Sequence, residues 1–212
     1  MTDHQEWPHV FEPGSADEPV LLLLHGTGGS EHDLLPLAAR LAPRAGVLSP
    51  RGPVQENGSN RWFHRIAEGV FDVDDVIRRA GELASFLAWA RETYGLGDRQ
   101  VIAVGFSNGA NMGLAAVLLH PQALAGVIAF SGMYPLKGRT VDADLSAIDV
   151  ALFNGDADPM APLDSVEQLA AVLESRGARL TRSVSTGGHG VHPSDISGAV
   201  SWLVDRSRRV DS

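Results

Sequence analysis

Short runs of consecutive apolar residues, each separated from the next by a longer amphipathic stretch, restrict this chain more than any other feature of its sequence. Residues 20–24, 46–48, 101–104, 127–130, 150–153 and 180–184 read as strands. Most of these runs lack polar alternation, as expected when both faces of a parallel sheet are covered. Between them, residues 31–41, 72–94, 108–120, 164–176 and 194–208 read as helices. In the longest of these, Val73, Val76, Ile77, Ala80, Leu83, Ala84 and Leu87 recur on one helical face. Strand and helix alternating in this way predict an α/β architecture, a mostly parallel sheet flanked by helices on both faces. Trp7 to Phe11, ahead of the turn at Pro13-Gly14, is a candidate edge strand. Without repeats or a low-complexity linker, residues 1–212 are expected to form one domain. The stretch from Phe130 to Val150 is one loop long, so no cap domain is expected. Residues 49–69 form the long irregular segment, and its Trp62, Phe63 and His64 argue for a functional loop rather than disorder.

Composition excludes several function classes. With no cysteine, neither a disulfide scaffold nor a thiolate metal site is available. A formal net charge of −9 repels phosphate backbones and anionic lipid, so nucleic acid is not an expected partner. Residues 1–12 carry no basic segment followed by an apolar one, and no signal peptide is read there. The longest apolar run, Val20–Leu24, is far short of the ~20 residues of a membrane span. A cytoplasmic protein without stable membrane insertion is therefore expected, with a small-molecule substrate as partner. Its oligomeric state is left open, with a homodimer among the options.

Chemistry enters at Gly105-Phe106-Ser107-Asn108-Gly109, a G-x-S-x-G motif that follows an apolar strand and opens a helix. A nucleophilic serine on so sharp a turn takes a strained backbone, and small neighbours make room for it. The helix start also sets the Asn108 N–H beside Ser107, where an oxyanion would develop. A second glycine-rich segment, Leu24-His25-Gly26-Thr27-Gly28-Gly29, follows the first strong strand. It lacks the Lys-Ser/Thr ending of a phosphate-binding loop, and its Thr27 N–H is the natural second oxyanion donor. His25 reads as a buried hydrogen-bonding residue. His25, His32 and Asp33 have no further ligand cluster to complete a metal site.

A serine hydroxyl needs a base, and the base an orienting acid; on this fold the chain order is Ser, acid, His. Asp156 and Asp158 both follow the strand at 150–153, and Asp158 is preferred because Pro159 holds it extended. Asp156 reads as a turn residue capping its own loop. His189 and His192 both follow the last strand. His189, between Gly188 and Gly190, is better able to reach the serine, whereas His192 beside Pro193 suits entry into the helix.

These residues together resemble the phospholipase/carboxylesterase family of α/β-hydrolases, which includes the acyl-protein thioesterases. The run Leu-Leu-His-Gly-Thr-Gly-Gly-Ser-Glu-His-Asp-Leu-Leu-Pro-Leu-Ala (residues 23–38) carries the resemblance, as do Arg51-Gly52-Pro53, Glu56-Asn57-Gly58, Arg61-Trp62-Phe63 and Glu68-Gly69-Val70-Phe71-Asp72. Within the family the pattern is most similar to small bacterial serine hydrolases of hydroquinone- and copper-stress operons. The resemblance spans about residues 7 to 205. It implies an α/β-hydrolase fold with Ser107 as nucleophile, Asp158 as acid, His189 as base, and Thr27 and Asn108 as backbone oxyanion donors. Gly190 departs from the long polar residue that usually follows the family's Gly-His. The expected activity is serine carboxylesterase, with small carboxylic esters cleaved through an acyl-enzyme and no cofactor or metal required. An acyl thioesterase or lysophospholipase with the same triad is the alternative, and a non-catalytic ligand-binding relative the remote one. Trp62, Phe63, His64, Met133 and Met160 are the candidate substrate-contacting residues.

Overall fold

The computed structural model describes residues 7–67 and 69–210, except the side chain of Val210. Glu68 and the start of the segment searched for a signal peptide lie outside the described residues. In chain order the strands are β1 (His9–Glu12), β2 (Val20–Leu24), β3 (Gly46–Pro50), β4 (Val54–Glu56), β5 (Ser59–Arg61), β6 (Arg65–Ala67), β7 (Val70–Phe71), β8 (Val101–Phe106), β9 (Gly126–Phe130), β10 (Asp149–Gly155) and β11 (Arg179–Ser185). The helices are α1 (Leu35–Leu41), α2 (Val73–Thr93), α3 (Asn108–Leu119), α4 (Leu163–Ser175) and α5 (Pro193–Val210).

The main sheet has seven strands in the order β1-β3-β2-β8-β9-β10-β11. β1 is the antiparallel edge strand and the other pairings are parallel. In the five inner strands, β2, β3, β8, β9 and β10, the apolar runs are continuous because each feeds two cores at once. In β2, Val20, Leu22 and Leu24 pack on the side of α2, α3 and α4, while Leu21 and Leu23 pack against α1 and α5. β8 splits in the same way, with Val101 and Ala103 on one side and Ile102 and Val104 on the other. This is the α/β-hydrolase fold, with helices on both faces of a mostly parallel sheet. Among the described residues no helix or strand interrupts the connection from β9 to β10. No helix among them is long and apolar enough to cross a membrane.

Two expectations are corrected. The first helix begins at Leu35 rather than residue 31, because Pro36 sits in its first turn. A proline lacks an N–H to donate and clashes with the carbonyl four residues earlier, so it is tolerated only where a helix starts. The stretch 49–69, expected to be irregular, holds one small hairpin, β4–β5, and the first strand of a second, β6–β7, which ends at Phe71. The turn of the first is Asn57-Gly58, with φ of 52° and 79°. Two successive positive φ values define the tight hairpin turn that Asn-Gly favours, so the signal was present in the sequence.

Helix α3 runs through the centre of the fold, with every residue from Asn108 to Leu118 buried. Its first turn lies hard against the end of β2. A Cβ on Gly109 would stand 1.9 Å from the Leu24 carbonyl oxygen, and one on Gly105 would stand 2.6 Å from Ala110 Cα. Neither neighbour is a side-chain end that could swing aside. Gly109→Ala is therefore expected to cost on the order of 4 kcal/mol or more, at the extreme of single substitutions. Urea unfolding of the purified variant checks this, and a loss below about 1 kcal/mol would show that the two segments part easily.

Candidate active site

The carboxyl ends of β2, β8, β10 and β11 open into four loops at one edge of the sheet. The loop after β2 carries Thr27, that after β8 Ser107, that after β10 Asp158 and that after β11 His189. In doubly wound sheets this is the edge where ligands bind.

Ser107 sits between β8 and α3 with φ 53° and ψ −116°, a conformation an L-residue rarely adopts. Its N–H donates to the Phe130 carbonyl at 2.9 Å, which holds the turn in place. Its Oγ lies 2.8 Å from His189 Nε2, and His189 Nδ1 lies 2.8 Å from Asp158 Oδ2. The Asp158 side chain is fully buried, and its Oδ1 accepts from the N–H groups of Met160 (2.8 Å) and Ala161 (3.1 Å). A carboxylate only accepts, so Nδ1 carries the ring proton of His189 and Nε2 presents its lone pair to the serine hydroxyl. Among the described residues, the N–H groups of Thr27 and Asn108 have no hydrogen-bond partner.

The competing residues occupy other places. Asp156 Oδ1 accepts from the Gly187 N–H at 3.0 Å and braces the loop that carries His189. His192 donates its N–H to Asp195 Oδ2 at 3.0 Å, at the start of α5, and its ring packs on Gly187. Ser131 Oγ donates to the Gly190 carbonyl at 3.1 Å and accepts from the Gly190 N–H at 3.2 Å, a second brace beside His189.

The five candidate substrate-contacting residues separate. Trp62 and Phe63 do not overhang the serine, since they are only 1% and 0% exposed. The Trp62 indole N–H donates to the His25 carbonyl at 2.9 Å, and Phe63 packs edge-on against Phe71 at 5.0 Å. A buried aromatic with its polar tip paired has no face left for a ligand. His64 is half exposed, with Nδ1 held 2.8 Å from Asp75 Oδ2. Met133 lines a cleft of about 510 Å³ together with Val70, Phe71, Val73, Pro159 and Pro162. Met160 is exposed, immediately beyond Pro159, and does not line that cleft. A larger cleft, of about 710 Å³, lies at the opposite edge, where Pro19 and Gln100 precede β2 and β8.

His25 is buried, and both of its ring nitrogens are occupied. Nδ1 is 2.7 Å from the Gly26 carbonyl, and Nε2 accepts the Gly52 N–H at 2.9 Å. It therefore has no lone pair to offer a metal. His32 pairs with Glu31 at 3.4 Å, and Asp33 accepts from the Ser30 hydroxyl. Among the described residues no three His, Asp or Glu side chains converge on a metal-sized site.

Sequence reasoning missed a layer of contacts behind Thr27. The Asn60 carbonyl accepts from Gly28 N–H at 2.8 Å, and Asn60 Nδ2 donates to the Gly29 carbonyl at 2.7 Å. The Trp62 N–H donates to Asn108 Oδ1 at 2.7 Å, and Arg61 NH1 donates to Thr27 Oγ1 at 2.8 Å. The exit of the first hairpin is thereby laced to both glycine-rich loops. The Asn-Gly turn was the available signal for the hairpin, but no local signal marked its partners.

Residues 5–203 match the Phospholipase/Carboxylesterase family. MhqD of Bacillus subtilis (strain 168) is 39% identical over 194 residues, which are 92% of this chain and 96% of that protein. The crystal structure of the Bacillus cereus carboxylesterase is 38% identical with a TM-score of 0.91, covering 97% of this chain and 100% of that one. That of the Mesorhizobium loti carboxylesterase is 29% identical with a TM-score of 0.87, covering 96% and 97%.

Burial holds the His25 pKa below the ordinary histidine value of 6.5, although the Gly26 carbonyl, Asp33 and Glu31 pull it upward. The folded state thus prefers neutral His25. Its contribution to stability is complete above the unfolded value and is lost as pH falls below about 6.5 toward the lowered folded value. The stability difference between wild type and His25→Asn is expected to narrow between pH 7 and pH 5, by at most about 1.4 kcal/mol per pH unit. Chemical denaturation across that range measures it, and a pH-independent difference would contradict the assignment.

Proposed function

The chain belongs to the phospholipase/carboxylesterase family of α/β-hydrolases, and on that premise we propose that it is a serine carboxylesterase working through an acyl-enzyme on Ser107. The observation that carries this reading is the unbroken hydrogen-bond chain from Asp158 through His189 to Ser107. The reading takes residues 1–212 as one domain.

In this mechanism the Ser107 hydroxyl attacks the ester carbonyl carbon while His189 Nε2 takes its proton. The carbonyl π electrons move to oxygen, and the N–H groups of Thr27 and Asn108 receive the oxyanion. Asp158, ionised and buried, keeps the imidazole oriented and stabilises it once it is protonated. As the tetrahedral intermediate collapses, the C–O bond to the alcohol breaks and His189 protonates the leaving oxygen. Water then repeats the sequence, giving up a proton to His189, and Ser107 is freed with release of the acid. None of these steps calls on a cofactor.

A thioester would meet the same groups, since sulfur replaces only the leaving oxygen. Matched oxygen and sulfur esters of one acid therefore measure the preference directly.

Ser107→Ala is expected to fold normally and to lower kcat by a factor on the order of 10⁴. A fluorophosphonate probe is expected to add once to the wild type, on Ser107, and not to the variant. Retained turnover in Ser107→Ala, or labelling at another residue, would contradict the mechanism.

A further inference from the structure

The strongest unexplained feature of the molecule is a buried cation beside the loop that carries Thr27. The Arg61 side chain is 5% exposed. Burial draws its pKa downward, and Glu56 opposes that shift at 3.4 Å from Nε. Glu56 is also shared with Arg65, 3.1 Å away, so two guanidinium groups face one carboxylate. Arg61 Nε donates to the Phe63 carbonyl at 3.2 Å and NH1 to Thr27 Oγ1 at 2.8 Å.

Anchoring the hairpin does not require this charge. The Gly28–Asn60, Asn60–Gly29, Trp62–His25 and Trp62–Asn108 hydrogen bonds already fix the segment with neutral groups. Burying a guanidinium costs desolvation that a neutral residue would avoid. What the charge does uniquely is place a fixed positive end against the side chain of the residue whose N–H is free.

We propose that Arg61 is a positioning residue of the oxyanion hole. By gripping Thr27 Oγ1 it fixes the direction of the Thr27 N–H, and its buried charge adds to the field that the developing oxyanion meets. The inference rests on the esterase reading above, in which Thr27 is an oxyanion donor. Preorganised charge of this kind acts on the transition state more than on the bound ester. Arg61 therefore affects kcat through Thr27 without touching the substrate.

The test removes the contact from each end. Arg61→Met and Thr27→Val are compared with the double variant, Arg61→Lys and wild type. Each is assayed on p-nitrophenyl acetate, for affinity toward a trifluoromethyl ketone that forms a tetrahedral adduct with an active serine, and for Tm. Each single variant is expected to lose about tenfold to a hundredfold in kcat, with KM within about threefold. Ketone affinity should fall by the same factor as kcat/KM. The double variant should be no worse than the worse single one, because both remove the same contact. Arg61→Lys should recover part of the loss, since it restores a charge and one donor. Wild-type kcat and ketone affinity in a folded Arg61→Met, single losses that multiply in the double variant, or a lowered Tm alone would overturn the proposal. If Arg61→Met does not fold, Thr27→Val decides, and wild-type ketone affinity there has the same force. Failure of the parent reading looks different: wild type itself would not bind the ketone, or hydrolysis would survive Ser107→Ala.

Discussion

Between Gly109 and the Leu24 carbonyl there is space for a hydrogen atom and none for a methyl group. That close approach is the constraint on which the site depends. It presses the start of α3 onto the end of β2, so the serine turn and the Thr27 loop share one small volume. The cost is local. A non-glycine residue at φ 53° carries strain of about 1–3 kcal/mol. The Ser107–Phe130 hydrogen bond and the helix behind it, buried from Asn108 to Leu118, hold the turn against that strain. A surface helix could not fix the turn so firmly, because it would be free to shift outward.

The remaining groups arrive from strands distant in sequence but neighbouring in the sheet. β9, β10 and β11 follow β8 in spatial order, so their carboxyl ends deliver residues to one edge without long excursions. Loops alone would be too loose to hold the Ser107–His189–Asp158 hydrogen bonds, and here they are braced. Asp158 is fixed by two backbone N–H groups, and the His189 loop is held by Asp156 and Ser131. The first hairpin serves the opposite side of the site, tying Thr27, Gly28 and Gly29 through Arg61 and Asn60. Geometry at Ser107 is thus set from several directions by groups outside the Ser107–His189–Asp158 chain.

The inner strands of the sheet were legible because burial on both faces leaves unbroken apolar runs. Ser107 was legible because a serine on that turn requires glycines at two fixed offsets. That Asp158 and His189, rather than Asp156 and His192, would share one hydrogen-bond chain with Ser107 was expected from chain order and from their neighbours Pro159, Gly188 and Gly190. The facing of Trp62 and Phe63 was not legible, since an aromatic in a loop can cover a site or fill a core with the same local sequence. What decides it is the His25 carbonyl, 37 residues away in the chain, which takes the indole N–H. Arg61 escaped for the same reason. An arginine in a polar loop is usually solvated, and its partner Thr27 lies 34 residues earlier.

The central claim is that the turn between β8 and α3 makes Ser107 the one acylated group of the chain. Treatment with an activated carbamate ester tests it most directly, because a carbamoyl-enzyme forms by the same attack and is hydrolysed slowly. Intact mass and peptide mapping should find one carbamoyl group per chain, on Ser107, with esterase activity lost in proportion to its occupancy. Loss of activity without a mass change, or full activity with Ser107 carbamoylated, would contradict the account.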